Sequence, residues 1–227
     1  MRFARKMIAL AMIGGAFAAS PALAKEGEGL KKHDVLLRVR GIWVAPNDST
    51  GGINPTLPND RLRISNSFAP EIDVTWMATK HIGFELIAAT TKHSAFGKQG
   101  VTAGIGKVAS TWVLPPTLTA QYHFNSDGKV RPYAGFGVNY TIFWNEKATD
   151  GLQAAVGPTR IHMSDSIGYA AQAGVDIDLN KKFFLNIDAK YIDLNTNTHL
   201  YTTAIGNQVV DTHINPFVVG VGFGIRL

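Results

Sequence analysis

Few side chains in this sequence are spaced for covalent chemistry. His162-Met163-Ser164 puts an imidazole two residues from a hydroxyl, and Asp176 follows as a possible carboxylate. A hydrolase needs the His within hydrogen-bond reach of the Ser and oriented by the acid. If the run from Ile167 is extended, a rise of about 3.4 Å per residue carries Asp176 to the far end of the element from His162. No catalytic residue is therefore assigned, and the chain is read as a non-enzyme. His33, His81, His93, His123, His199 and His213 are scattered with no H-E-x-x-H spacing, and cysteine is absent. No metal site, disulfide framework or cofactor is expected, and neither a P-loop nor a Rossmann fingerprint occurs.

A second set of chemically active residues is denser. Arg38, Arg40, Asp73, Glu85, Gln121, Asp176, Asp188 and Lys190 each lie on one parity of a run whose other parity is mostly apolar. Such a set cannot sit in a low-dielectric interior unless its members pair, because unpaired buried charges are costly. The chemistry it suggests is a hydrogen-bonded plug of mixed sign, with Arg40 nearly opposite Asp73.

Strands must position these residues. From Asn215 to the end, alternate positions read Phe217, Val219, Val221, Phe223, Ile225, Leu227, against Pro216, Val218, Gly220, Gly222, Gly224, Arg226. Strict period-2 alternation means a strand with two unlike faces. Similar runs start near Val35, Pro70, Ile82, Pro116, Ala134, Ile167 and Phe183, giving about eight strands. Short turns around Thr79-Lys80, Asn125-Ser126-Asp127-Gly128 and Asn180-Lys181-Lys182 follow the even strands. Long polar stretches, such as Thr91 to Ser110 and Asn145 to Ser164, follow the odd ones.

Compartment follows from the first residues. Arg2, Arg5 and Lys6 precede an apolar run and an Ala22-Leu23-Ala24 site, the three parts of a cleavable secretory signal over residues 1–24. The apolar run is shorter than the roughly 20 residues that span a bilayer as a helix. Removing the signal's three cations takes the net charge from +5 to +2, too little to argue for nucleic acid.

An exported all-β chain is either a soluble sandwich or barrel with an aromatic-rich core, or a membrane barrel with its greasy face turned outward. The apolar faces carry no charge, and a Lys or Arg there would cost roughly 2–4 kcal/mol near mid-bilayer. Trp76, Tyr122, Phe124, Phe183 and Phe223 gather at strand ends beside short turns, as an interfacial girdle does. An even strand number with short periplasmic turns and long external loops completes the pattern. The expected fold is all-β: residues 25–227 form an eight-stranded antiparallel transmembrane β-barrel in the bacterial outer membrane.

Several segments resemble the OmpW family of outer-membrane proteins. They include Phe84-Glu85-Leu86-Ile87-Ala88-Ala89-Thr90, Leu114-Pro115-Pro116-Thr117-Leu118-Thr119-Ala120-Gln121-Tyr122, Arg131-Pro132-Tyr133-Ala134-Gly135 and Asp188-Ala189-Lys190-Tyr191-Ile192-Asp193. They occur in family order over nearly the whole mature chain. The resemblance implies a barrel with an apolar lumen, associated with passive passage of small hydrophobic molecules. Two departures are visible: the chain ends in Leu227 where such barrels usually end in Phe, and Ile167 stands where a constriction Trp is expected in close relatives.

Inward positions toward the outside are Ile42, Val44, Ile87, Ala89, Phe143, Ile192, Leu194 and Val218, and Ile167 is grouped with them as ligand-lining. They either form an apolar pocket open to the exterior or simply pack the interior. A greasy solute above a charged floor should leave sideways into the membrane. Pro70, Pro115, Pro116 and Pro216 would weaken strand pairing for such a lateral exit, or else only shape bulges and edges. Expected partners are outer-membrane lipids and lipopolysaccharide, small hydrophobic solutes and the barrel-assembly machinery during insertion. The competing functional reading is a structural, stress-adaptive envelope barrel, or a surface receptor for phage or toxin.

Overall fold

The computed structural model describes residues 29–227, so the expected signal segment lies outside the described residues. The terminal alternation folds as read. β15 (Phe217–Arg226) alternates exposed and buried along most of its length, and β1 (Val35–Ala45) does the same. These two strands pair antiparallel from Leu36 opposite Arg226 to Ala45 opposite Phe217. That pairing joins the last strand to the first and removes both sheet edges.

The rest of the wall is β4 (Ser67–Met77), β5 (Ile82–Ala89), β8 (Thr117–His123), β9 (Val130–Ala148), β11 (Ser166–Asp178) and β12 (Phe183–Ile192). With β1 and β15 they close an eight-stranded antiparallel barrel in the order β1-β4-β5-β8-β9-β11-β12-β15. Outward positions are large and apolar: Val39, Ile72, Leu86, Leu118, Val138, Ile187 and Val221 are all exposed. The girdle residues Trp76, Tyr122, Phe124, Phe183 and Phe223 are exposed as well. An apolar exterior around a polar interior is the membrane polarity, opposite to that of a soluble barrel.

The long polar stretches are strands too, which alternation of apolar residues did not reveal. β3 (Arg61–Ile64), β6 (Thr91–Gln99) and β7 (Lys107–Leu114) continue the wall outward on the upper half of β9. A second outer sheet holds β2 (Ser49–Thr50), β10 (Thr159–Met163), β13 (Asn195–Thr202) and β14 (Gly206–His213), in the order β10-β13-β14-β2. In β13 and β14 the buried residues include Thr196, Thr202, Gln208 and Thr212. Their β-branched threonines favour strand while hiding the hydrophobic pattern. A short helix α1 (Asp150–Val156) is capped by Thr149, whose Oγ1 accepts from the Leu152 N–H.

Some inward positions admit no side chain. A Cβ at Gly222 would lie 2.0 Å from the Val39 carbonyl oxygen, and one at Gly137 would lie 1.9 Å from that of Leu118. Both glycines let a neighbouring strand approach by its backbone. A Gly222→Val chain should therefore fail to give the fast-migrating folded band in a heat-modifiable gel assay. Val221→Ala, on the lipid face, should keep that band.

Candidate functional site

The inner face of β1 organises the lower lumen. Arg38 and Arg40 are two residues apart, so both point inward, and both are buried. Arg38 lies opposite Asp73, while Arg40 lies opposite Glu71, one pair higher than the sequence reading placed it. Arg40 nonetheless reaches Asp73 because its side chain is long. Arg38 Nη1 donates to Asp73 Oδ1 (2.9 Å) and Thr75 Oγ1 (2.7 Å), and its Nη2 donates to Asp176 Oδ2 (2.9 Å). Arg40 contacts Glu71 through Nε (2.8 Å) and Asp73 through Nη2 (2.6 Å), and donates from Nη1 to Asn186 (3.0 Å).

Neighbouring strands complete the network. Lys190 Nζ lies 2.7 Å from Glu71 and 2.8 Å from Asp188, and the Tyr133 hydroxyl donates to Asp188 (2.9 Å). Glu85 accepts from Thr119 and Gln172, and Gln121 meets His123. Arg131 pairs with Asp178. Glu71, Thr75, Thr119, Arg131, Tyr133 and Gln172 are members of the floor that the sequence reading did not single out. Glu71 and Gln172 share the inward parity of Asp73 and Asp176, and carrying the inward parity of β9 back to its start finds Arg131.

A small apolar seal lies beside this floor at the periplasmic end: Leu30, Leu36, Met77 and Phe184 are almost fully buried together. Arg38 and Arg131 stack over the Phe184 ring at 5.6 and 5.5 Å. Paired charges above a packed apolar seal leave this end of the barrel filled by side chains, as its strand number allows.

Toward the outside the lumen changes character. Ile42, Val44, Ile87, Ala89, Phe143, Ile192, Leu194 and Val218 are all buried and all line one cavity, with Glu71 and Lys190 at its polar boundary. Ile167 is placed differently. It is 79% exposed and points to lipid, because the inward parity of β11 belongs to Ser166, Ala170 and Gln172. The cavity measures about 120 Å³. It shares Ile53, Thr102, Leu152 and Leu200 with a second space of about 200 Å³, which also meets Leu57, Val101 and α1. His93, in the outer extension, lies in the cavity wall with Nδ1 2.8 Å from the Ser65 carbonyl oxygen and Nε2 3.0 Å from Thr91 Oγ1. Burial holds its imidazole below the ordinary histidine pKa, against the opposing pull of the Ser65 carbonyl.

The four prolines do different things. Pro115 and Pro116 fall between β7 and β8 and not within a strand. The ladder toward β5 and β6 runs up to Ile87 opposite Thr117 and resumes at Thr91 opposite Val113. The register is unchanged across this gap, but residues 88–90 and 114–116 form no ladder pairs with one another, although Ala88 and Ala89 pair with Ile72 and Glu71 and Leu114 pairs with Ile142. Pro70 lies in β4 opposite Gly41, facing outward. Pro216 precedes β15, and its carbonyl accepts from the Ile192 N–H (3.2 Å), so pairing continues there. The structure does not bring the hydrolase candidates together. His162 is exposed, 4.0 Å from Glu146, whereas Asp176 is bound to Arg38 in the floor.

Removing one member of the floor strands its partners. Arg38→Met should lower the unfolding free energy in lipid vesicles by about 3–5 kcal/mol, read by urea titration. Adding Asp176→Asn should recover part of that loss, because one uncompensated charge is then gone.

Comparison with known proteins agrees with this architecture. The model of the OmpW family matches residues 31–227. The outer-membrane protein y4mB of Sinorhizobium fredii is 33% identical, over 98% of this chain and 97% of that protein. Outer membrane protein W of Vibrio cholerae is 32% identical, over 86% of this chain and 89% of its own length. The crystal structure of OprG from Pseudomonas aeruginosa superimposes with a TM-score of 0.82 at 27% identity, covering 89% of this chain and 99% of that one. With its lipid-facing girdle, charged floor and outward apolar cavity, this chain belongs to the OmpW family of outer-membrane barrels.

Proposed function

We propose that the protein is a passive conduit for small hydrophobic molecules, which enter from outside, partition into the apolar cavity and leave sideways into the membrane. The carrying observation is the cavity wall itself: aliphatic and aromatic side chains above a floor whose charges are paired. Transfer of a solute from water to such a wall is favourable by about 0.8 kcal/mol per buried CH₂. An apolar cavity of ~150 Å³ takes up benzene, so this one suits a slender aliphatic chain or a single ring.

Axial passage would require the ion pairs of the floor to separate in a low-dielectric lumen, at several kcal/mol each. Lateral exit requires no such separation. The unladdered stretch beside Pro115 and Pro116 supports it, because Pro115 and Ala89 line the cavity on opposite sides of that gap. Proline offers no N–H to bridge the gap.

Two measurements test this reading. Cells bearing the native chain should take up a radiolabelled medium-chain alkane faster than cells lacking it. A folded Ile87→Asp/Phe143→Asp variant should lose about tenfold or more of the gain, since one buried unpaired carboxylate already costs more than 1.4 kcal/mol. Equal uptake with and without the protein would instead favour a structural or receptor role. In an Ala89→Cys/Pro115→Cys chain, a short thiol crosslinker should stop uptake reversibly if the exit lies at this gap. Undiminished uptake after complete crosslinking would place the exit elsewhere.

A further inference from the structure

The two outer sheets differ in charge. The one built from β3, β6, β7 and the upper part of β9 carries six Lys or Arg and one carboxylate, Glu146, which faces the cavity. The other, built from β2, β10, β13 and β14, carries one arginine and one aspartate. On the first sheet Arg63, Lys92, Lys98, Lys107 and Lys147 are exposed, and among the described residues none forms an ion pair. The acids nearest in sequence serve elsewhere. Asp60 is buried and accepts from the Val101 and Thr102 N–H groups, and Asp150 occupies the first turn of α1.

This charge is braced by aromatic rings and continuous with the lipid face. Lys92 lies 5.9 Å over the Trp112 ring, Trp112 stacks on Trp144 at 5.5 Å, and Arg63 lies 5.3 Å over Phe96. Lys92 follows Leu86 and Ala88 on the outward parity of one continuous strand path, so the cations begin where the greasy belt ends. At that height the surroundings of an outer-membrane barrel are lipid headgroups.

We infer that the outer face of this sheet is a docking surface for the phosphorylated headgroup of an outer-leaflet glycolipid, held on one side of the barrel by Arg63, Lys92, Lys98, Lys107 and Lys147. Uncompensated cations match the phosphates, and the tryptophans sit where amphipathic rings meet the headgroup zone. The acyl chains would lie on the apolar wall directly below. The surface is separate from the cavity and does not depend on solute transport.

The test is binding of bis-phosphorylated lipid A to the refolded barrel in neutral phosphatidylcholine nanodiscs, counted by native mass spectrometry. A Lys92→Gln/Lys107→Gln/Lys147→Gln chain, shown folded by heat-modifiable mobility, should bind it about tenfold or more weakly, because three of the five cations are gone. Arg160→Gln on the opposite sheet should change little. Raising ionic strength should weaken binding to the unaltered chain, and this arm needs no variant. Equal binding by the triple variant, equal binding of dephosphorylated lipid, salt-insensitive binding, or displacement by inorganic phosphate at constant ionic strength would each overturn the proposal.

Discussion

Closure of β15 on β1 is the constraint from which the rest of the molecule follows. Eight strands enclose a lumen too narrow for bulk water, so every inward side chain is buried whatever its polarity. Polar inward residues must then find partners within the lumen. Arg38 and Arg40 do so because adjacent inward positions on one strand place two guanidinium groups among carboxylates from β4, β5, β11 and β12. The floor is thus a property of the closed barrel, since no pair of neighbouring strands supplies enough partners alone.

The same closure divides the lumen along its axis. Near the periplasmic turns, inward positions carry charge and glycine, and the chain spends them on ion pairs and close backbone contact. Farther out they carry Ile, Val, Leu and Phe, and the wall continues beyond the membrane as two outer sheets. Those sheets turn what would be loops into a sleeve with an apolar interior and a polar exterior. The polarity of the barrel therefore inverts between its membrane and outer halves: greasy outside below, greasy inside above. An apolar cavity above a paired floor is the consequence, and the proposed conduit role rests on it.

Interruptions in hydrogen bonding have a definite place in this design. Pro115 and Pro116 stop one ladder for three residues without shifting its register. Between those two segments the wall beside the cavity has no backbone ladder, although each segment stays paired on its other side. Pro216, by contrast, lies just before a strand begins and still accepts a bond from Ile192. Proline type alone does not distinguish these cases, because the missing donor matters only where a neighbour's acceptor would have used it.

Alternation in the sequence determined the eight membrane strands, their inward and outward faces, the girdle and the mixed charges of the lumen, because a strand's side-chain period is set by local geometry. It also indicated the buried aliphatic set from Ile42 to Val218. Tertiary structure decided what depended on register and on partners distant in the chain. Arg40 stands opposite Glu71, and the Tyr133 hydroxyl binds Asp188, two strands along the wall. The outer sheets escaped the pattern because their inward positions mix threonines, such as Thr91, Thr196, Thr198 and Thr212, with Ile161, Leu200 and Val210, so no alternation of apolar residues runs long enough to read. The gap at Pro115 and Pro116 could be read only once two strands lay side by side, since a missing ladder is a relation between segments and neither segment records it alone.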